Sequence, residues 1–260
     1  MKACKTVLIT GASEGIGKCF AHTFAKHGHD LILVARNQEK LALLEAELKG
    51  MFNIEVTVIP MDLIPLEASE KLFFEVAKRE LAVDVLVNNA GMMQVEPFCS
   101  SDMSKMNNLL QLNIQSLVNL SRLFSGPMLA KGRGKIINIG SVASFMPTPN
   151  FSVYGATKAF VLSFSEGLSQ ELKGTGVTVT CVCPGFTKTS MLDEAGGFEK
   201  MLPEFLKADP DELAELAYQA ADKGEVVFLD SLANKALVQW ATHYPRWIVR
   251  GINGLFSRFS

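Results

Sequence analysis

Tyr154 and Lys158 lie four residues apart in the segment Ser-Val-Tyr-Gly-Ala-Thr-Lys, which begins a long stretch of helical spacing. A separation of four on an α-helix places two side chains on one face, one turn apart. An ammonium group near a phenol favours the phenolate and lowers the phenol pKa from its usual value of about 10. The pair is therefore a candidate for a tyrosine that exchanges a proton with a bound ligand. A chain of this length can also hold such a pair by chance, so the interpretation depends on the other motifs.

A glycine-rich turn near the amino terminus could hold that ligand. Residues 10 to 17 read Thr-Gly-Ala-Ser-Glu-Gly-Ile-Gly, between an apolar run and a helical pattern. Glycines allow a tight turn and a close approach to pyrophosphate, and a helix amino terminus offers unpaired N–H groups. Many such turns are glycine-rich for steric reasons alone, but in this context we predict dinucleotide binding. The predicted contacts are Gly11, Ser13, Gly15, Ile16 and Gly17.

The second apolar run ends in Val34-Ala35-Arg36. A chain that binds NAD(H) usually places Asp or Glu there to hold the ribose 2′-hydroxyl. A guanidinium instead binds a 2′-phosphate through paired, charge-assisted hydrogen bonds. We therefore expect a preference for NADP(H), with NAD(H) as the alternative cofactor. The competing interpretation is that Arg36 is a solvated arginine after a strand.

Short apolar runs alternate with helical patterns along the chain. Strands are predicted at residues 7–9, 31–34, 54–59, 83–87, 135–139, 177–182 and 226–229, and helices at 16–27, 38–49, 65–79, 102–124 and 154–173. Apolar strands that alternate with helices require a parallel sheet covered on both faces. The predicted fold is α/β, a single-domain, Rossmann-like, doubly wound parallel sheet of about seven strands with helices on both faces. Its ligand is expected at the carboxyl ends of the strands.

We expect one domain over residues 1–260, with a substrate-loop insertion near 186–210 and a helical extension near 232–260. The 260 residues, 48% of them hydrophobic, suffice for one sizeable core. A net charge of -2 gives no basic field, so nucleic acid is not an expected partner.

Sequence patterns and cysteine usage also indicate the cellular compartment of the protein. No signal-peptide pattern occurs, and no apolar run reaches the roughly 18 residues of a membrane span. The four histidines lack metal-ligand spacing, so no metal site is predicted. Scattered cysteines are typical of buried, reduced thiols in a cytoplasmic protein: Cys4, Cys19, Cys99, Cys181 and Cys183.

Together these motifs resemble the short-chain dehydrogenases/reductases over roughly residues 5 to 190. The matching motifs are the glycine turn at 10–17, Asn88-Asn89-Ala90-Gly91, Asn113, Ser141, Tyr154 with Lys158, and Pro184-Gly185. The resemblance implies an NAD(P)-dependent oxidoreductase that interconverts a carbonyl and a secondary alcohol.

The resemblance also implies a role for each matching residue. Tyr154 would be the general acid/base and a cofactor contact, and Ser141 would polarise the substrate oxygen. Lys158 would bind the nicotinamide ribose and lower the phenol pKa, while Asn113 would hold a water in a proton relay. The further cofactor contacts that it implies are Asp62 for adenine, Asn89 and Gly91 beside the cofactor, and Pro184, Thr187 and Thr189 in the nicotinamide-side loop.

Three residues allow an interpretation other than the one that the resemblance implies: Glu14, Ser141 and Asn113. NADP-using relatives often carry a basic residue just before the middle glycine, where this chain has Glu14. Ser141 also fits a turn serine, and Asn113 fits a helix asparagine bonded to the backbone.

The residues expected around the substrate are apolar: Met92, Met93, Phe145, Met146, Phe186, Met191 and Leu192. Such a lining suits a bulky steroid-like, lipid-like or aromatic carbonyl or alcohol, although core packing explains any one of these residues equally well. One alternative is a 3-oxoacyl thioester reductase. An alternative of another class is a non-catalytic, NADP(H)-sensing interaction protein.

Two segments indicate protein or membrane contacts. The helix after Tyr154 is apolar on more than one side and must be covered on more than one side. In the resembled family it commonly packs against a second subunit, so a homodimer or homotetramer is expected. The segment 232–260 interleaves aromatic residues with arginines. It is interpreted as a cap on the substrate site or a subunit interface, or alternatively as a peripheral membrane contact.

Overall fold

The computed structural model describes residues 5–187 and 207–256. The strands are β1 Thr6–Thr10, β2 Asp30–Ala35, β3 Val56–Pro60, β4 Val83–Asn88, β5 Gly134–Ile139, β6 Val177–Cys183, β7 Phe186–Thr187, β8 Lys207–Ala208 and β9 Val227–Leu229. Seven of them form one parallel sheet in the order β3-β2-β1-β4-β5-β6-β9. A short parallel pair, β7 with β8, lies apart from it.

Helices connect and cover these strands. They are α1 Gly15–Lys26, α2 Gln38–Met51, α3 Ala68–Lys78, α4 Met103–Leu110, α5 Leu117–Lys131, α6 Ser152–Glu171, α7 Pro210–Lys223, α8 Leu232–His243 and α9 Arg246–Phe256. A π-helical turn, Gln111–Ser116, joins α4 to α5.

Successive side chains of each central strand enter two separate cores, as the pleat requires. In β1, Val7 and Ile9 pack in the core formed with α1, α2 and α7. Leu8 packs in the opposite core, with α3, α5 and α6. The predicted doubly wound sheet with helices on both faces is therefore confirmed. Because strand order reverses between β1 and β4, a ligand crevice is expected at their carboxyl ends.

Two predicted helix boundaries are wrong. The third helix begins at Ala68 rather than Pro65, because residues 65 to 68 form a turn in which the Ala68 N–H donates to the Pro65 carbonyl at 2.9 Å. Helix α5 continues past Phe124 and Pro127 to Lys131. Burial of Met128 in the core secures this last turn, and Gly132, with a φ of +64°, ends it.

The prediction that the cysteines are buried is wrong for Cys99, which is exposed on the surface turn Phe98–Ser100. Among the other described cysteines, Cys19 is half-buried, and Cys181 and Cys183 are buried. These four carry free thiols, and Cys4 lies outside the described residues. Within the two described ranges, no helix combines the length and apolar character needed to cross a membrane.

Candidate active site

The turn after β1 is held against the end of β4. The Thr10 hydroxyl accepts hydrogen bonds from the backbone N–H groups of Asn89 and Ala90, both at 3.0 Å. The Asn89 amide donates to the carbonyls of Thr10 at 2.9 Å and Gly11 at 3.1 Å. The predicted glycine turn and the predicted Asn89 thus meet at the switch point of the sheet.

The geometry of this turn fits a pyrophosphate. Gly11 and Gly15 have φ angles of +63° and +54°, which favour glycine. A Cβ on Gly11 would come within 2.9 Å of the Ala90 Cα, and a Cβ on Gly17 would overlap the Gly11 carbonyl. Helix α1 has no side-chain cap at Glu14, so its first N–H groups are available to an anion. Ser13 and Ile16 lie half-buried in the same turn.

Two basic side chains belong to the segment that follows β2. Arg36 is exposed and has no hydrogen-bond or ion-pair partner among the described residues. Lys40, in the first turn of α2, forms a 2.6 Å ion pair with Glu14. The negative charge of Glu14 in the glycine turn is therefore balanced by Lys40, which follows Arg36 closely in the chain.

Asp62 is exposed just beyond β3, where its carboxylate accepts a hydrogen bond from the Ile64 N–H at 3.0 Å. Asp62 thus lies at the carboxyl end of a neighbouring strand, and its contact with adenine stays a prediction.

Asn113 lies in the π-helical turn, with its side chain buried. Its Oδ1 accepts from the Met92 N–H at 2.8 Å, and its Nδ2 donates to the Met92 carbonyl at 2.9 Å and to Thr157 Oγ1 at 3.2 Å. The side chain therefore fastens the loop after β4 to helix α6. A Cβ on Gly91 would lie 3.3 Å from Asn113 Oδ1 and 3.8 Å from Lys158 Nζ, so Gly91 borders the same space.

Ser141 follows β5 and caps a short 3₁₀ turn, Val142–Phe145. Its Oγ accepts from the Ala143 N–H at 3.1 Å, while its own N–H donates to Ser144 Oγ at 3.3 Å. Because the hydroxyl acts here as an acceptor, its proton is available to another group. Ser141 is therefore a turn serine, as the alternative interpretation holds, but its side chain also forms a hydrogen bond with Tyr154.

Tyr154 and Lys158 occupy the first two turns of α6, on one face as predicted. Lys158 Nζ lies 5.6 Å from the centroid of the Tyr154 ring and donates to the Ile139 carbonyl at 2.8 Å. The Ser144 hydroxyl donates to the Lys158 carbonyl at 2.8 Å, which joins the helix to the turn of Ser141. The structure therefore brings Ser141, Tyr154 and Lys158 together at the end of β5.

The pKa of Tyr154 departs from the sequence-based prediction. Burial raises it to about 12, the nearby Cys183 thiol adds to the rise, and the hydrogen bond with Ser141 opposes it. Burial lowers the pKa of Lys158 to about 8. The predicted lowering of the phenol pKa is therefore wrong for the protein by itself. Loss of water around the phenol destabilises the phenolate more than the hydrogen bond with Ser141 stabilises it. At neutral pH the phenol carries its proton.

The loop after β6 completes the site. Pro184 is buried, and its carbonyl accepts from the Val142 N–H at 2.9 Å, next to Ser141. Thr187 is also buried, and its hydroxyl donates to the Gly185 carbonyl at 3.4 Å. Thr189, Met191 and Leu192 lie outside the described residues.

Three positioning residues were missed in the sequence. Thr10 holds the strand-four motif, Ser144 anchors helix α6, and Asp230 accepts from the Gly185 N–H at 3.3 Å. The three-residue spacing of Ser141 and Ser144 is a capping signal that could have revealed the second serine. No signal marks Thr10 or Asp230, since their partners are 79 and 45 residues away.

Comparisons with known proteins agree with this geometry. A family model for short chain dehydrogenases matches residues 5–200. The chain is 35% identical to sulfoacetaldehyde reductase 2 of Chromohalobacter salexigens, over 85% of this chain and 86% of that protein.

Two solved structures are also similar. A short-chain dehydrogenase from Sphingobium yanoikuyae in complex with NADPH has a TM-score of 0.81 and 36% identity, covering 93% of this chain and 97% of that one. The bulky-bulky ketone specific alcohol dehydrogenase from Comamonas testosteroni has a TM-score of 0.78 and 31% identity, covering 93% and 95%. The chain belongs to the short-chain dehydrogenase family, nicotinamide-dependent oxidoreductases that act on alcohols and carbonyls.

Proposed function

We propose that this protein interconverts hydrophobic ketones and secondary alcohols with NADP(H), and that Tyr154 is its general acid/base. The observation that carries the proposal is the meeting of Ser141, Tyr154 and Lys158 at the carboxyl end of β5. In a doubly wound sheet, that end borders the crevice in which the dinucleotide binds.

The chain's own groups supply the proton chemistry. NADPH, when bound, supplies the hydride. Ser141 donates a hydrogen bond to the carbonyl oxygen, and Tyr154 transfers its phenolic proton to that oxygen as negative charge develops. A pKa raised to about 12 keeps this proton in place until it is needed. The Lys158 ammonium, 5.6 Å from the ring, then stabilises the phenolate.

The binding residues fit a dinucleotide phosphate. The glycine turn and the uncapped start of α1 would take the pyrophosphate, and Arg36 would take the 2′-phosphate. Lys40 offsets the charge of Glu14, which otherwise would repel that phosphate. These contacts support NADP(H) over NAD(H), as does the NADPH complex of the Sphingobium relative.

The described part of the pocket favours a bulky apolar substrate. Met92, Met93, Phe145 and Met146 are half-buried in the two loops that flank the catalytic residues. Neither loop, 92–102 or 142–153, contains Lys, Arg or His. A small anionic substrate, such as the name of the Chromohalobacter relative indicates for that protein, would find no cation there. The name of the Comamonas relative points to bulky ketones.

The test is a screen of hydrophobic ketones with NADPH and NADH in parallel. We expect kcat/KM to be at least about tenfold higher with NADPH, because a paired guanidinium–phosphate contact is worth roughly 1.5–3 kcal/mol. Arg36→Gln should raise the KM for NADPH by about ten- to a hundredfold and leave NADH unaffected. Arg122→Gln, an exposed arginine of α5, is the matched control. Turnover restricted to small charged keto acids would contradict the substrate proposal.

A 3-oxoacyl thioester reductase is the second candidate. It is favoured by Arg246 and Arg250 on helix α9, which packs on the loop at Pro147 and could meet a phosphate-bearing carrier. A kcat/KM for 3-oxoacyl-CoA more than tenfold above that for simple bulky ketones would establish it. Absence of NADPH oxidation with every carbonyl, despite NADPH binding, would instead favour the cofactor-sensing interaction protein.

A further inference from the structure

Helix α9 has one face that is fixed to the protein. Val249 is buried on that face, and Asn253, beside it on the helix, is half-buried. The Asn253 amide donates to the Pro147 carbonyl at 2.8 Å, which attaches the helix to the loop after the Ser141 turn. The helix is therefore packed on the loop that follows the Ser141 turn.

The opposite face exposes large apolar side chains. Trp247 is 69% exposed and Leu255 is 58% exposed, with Ile252 beside them. Their positions fall within one half of the helix circumference at 100° per residue. Tyr244, just before the helix, is also exposed. Nothing in the described part of the chain covers this set, which we name the outer face: Tyr244, Trp247, Ile252 and Leu255.

The charge around the outer face has one sign. From Ser231 to Ser260 the sequence has no Asp or Glu, whereas α8 and α9 carry Lys235, Arg246 and Arg250. On a helical wheel Arg250 lies about 60° from Trp247 and Arg246 about 100° from it, both on the side away from Leu255 and Ile252. A helix with tryptophan and aliphatic residues on one face and arginines at its border is the pattern of an interfacial helix. Its charge complements anionic lipid headgroups.

A second copy of the chain is a poorer partner for this surface. A twofold contact must be self-complementary, so pairing α9 with itself would bring arginines together without an acidic residue in the segment to offset them. The helix is also short. Its 11 residues span about 16 Å, roughly half of a 30 Å hydrocarbon layer, so it fits parallel to a membrane surface.

We propose that helix α9 docks the protein on anionic phospholipid surfaces. Trp247, Ile252 and Leu255 enter the boundary between headgroups and acyl chains, and Arg246 and Arg250 contact the phosphates. Docking of this kind requires neither the substrate nor turnover. It places the mouth of the substrate cleft, through the contact of Asn253 with Pro147, beside the lipid.

Co-sedimentation of the full chain with vesicles tests the proposal. We expect binding to phosphatidylcholine vesicles that contain phosphatidylglycerol, and much weaker binding to phosphatidylcholine alone. Each of Arg246→Gln and Arg250→Gln should weaken binding by about fivefold, and added salt should weaken it further. Trp247→Gln should remove most of it. The matched control is Phe74→Gln, which removes an equally exposed ring, 67% accessible, from α3.

Fluorescence gives a second readout that locates the contact. The chain has two tryptophans, so Trp240→Phe leaves Trp247 as the single reporter. Its emission should shift to the blue when anionic vesicles are added and should stay in place with phosphatidylcholine alone.

Three results would overturn the proposal. The first is absence of co-sedimentation with anionic vesicles. The second is a Trp247→Gln variant that binds as well as the unmodified protein. The third is a Trp247→Gln variant with a smaller oligomeric mass in a lipid-free solution, which would show that another copy covers the outer face. NADPH binding, measured on the same samples, keeps these outcomes separate from the proposed function.

Discussion

Tyr154 and Lys158 respond to burial in opposite directions, because each loses the water that would stabilise its charged form. The phenol becomes a weaker acid, with a pKa of about 12, and the ammonium a stronger one, with a pKa of about 8. Near neutral pH the phenol is therefore protonated and the amine is mostly charged. This state suits delivery of a proton to a carbonyl oxygen.

Lys158→Met should change how stability depends on pH. The folded-state pKa of Lys158 is lowered from 10.5 to about 8, so between these values the unfolded chain binds the extra proton. Stability of the unmodified protein therefore rises with pH across this window, by at most on the order of 3 kcal/mol. The free energy of unfolding of the unmodified protein, relative to that of the variant, should therefore be lowest below pH 8. It should rise by this amount between pH 8 and pH 10.5.

Urea unfolding from pH 7 to 10.5 measures this difference. Lys173→Met, which removes an exposed lysine just beyond α6, serves as the control for the loss of an ammonium group. A flat profile for Lys158→Met would show that Lys158 is not desolvated in the folded protein.

At the scale of elements, helix α6 is fixed to the sheet by buried polar contacts. Asn138 on β5 donates to Ser165 Oγ at 3.0 Å, and Asn88 on β4 donates to Asn138 Oδ1 at 2.9 Å. Ser165 lies seven residues, about two turns, beyond Lys158. These contacts therefore set the position of α6 along β5, and with it the position of Tyr154 relative to Ser141.

Ser165→Ala should lower the free energy of unfolding by about 1–3 kcal/mol, because it leaves the buried Asn138 amide without its acceptor. It should also lower kcat more than it raises the KM for NADPH, since it displaces the proton donor rather than the cofactor site. Denaturant unfolding and steady-state kinetics test both effects.

Ser163→Ala is the matched control, because Ser163 is exposed on the same helix. It should change stability by less than about 0.5 kcal/mol. Equal effects of the two substitutions would show that the contact between Asn138 and Ser165 has no special role.

The elements also show where sequence reasoning stops. Hydrophobic spacing predicted α6 within two residues at each end, because its apolar stripe is long and regular. The π-helical turn at Gln111–Ser116 was not predicted, since one extra residue per turn barely alters that spacing. The same stretch holds Asn113, whose side-chain hydrogen bonds to Met92 and Thr157 depend on the loop after β4 and on helix α6, both distant in sequence.

At the scale of the whole molecule, the alternation of strands and helices was enough to predict a doubly wound sheet and the edge that binds the ligand. Local patterns located the glycine turn and Tyr154, because each belongs to one strand end or helix start, whereas Ser141 was located through the resemblance to the family. They could not predict the Asp230 contact to Gly185, or how far burial moves the pKa of Tyr154, since both depend on packing of distant segments.

Self-association is the prediction at this scale. On α6, Phe160 is 41% exposed, and its ring stacks on that of Phe164. We propose that this face packs against a second subunit, so sedimentation should give a dimer or tetramer and Phe160→Glu should shift it toward a monomer. Phe74→Glu, on α3, should leave the mass unchanged. A monomeric mass for the unmodified protein would contradict the prediction.

The most direct test of the account is NADPH oxidation with a bulky ketone by the Tyr154→Phe variant, with NADPH affinity measured on the same sample. Loss of the phenolic proton should lower kcat by about 10²- to 10⁴-fold while NADPH binds with unchanged affinity. A variant that binds NADPH and reduces the ketone at the rate of the unmodified protein would contradict proton transfer by Tyr154.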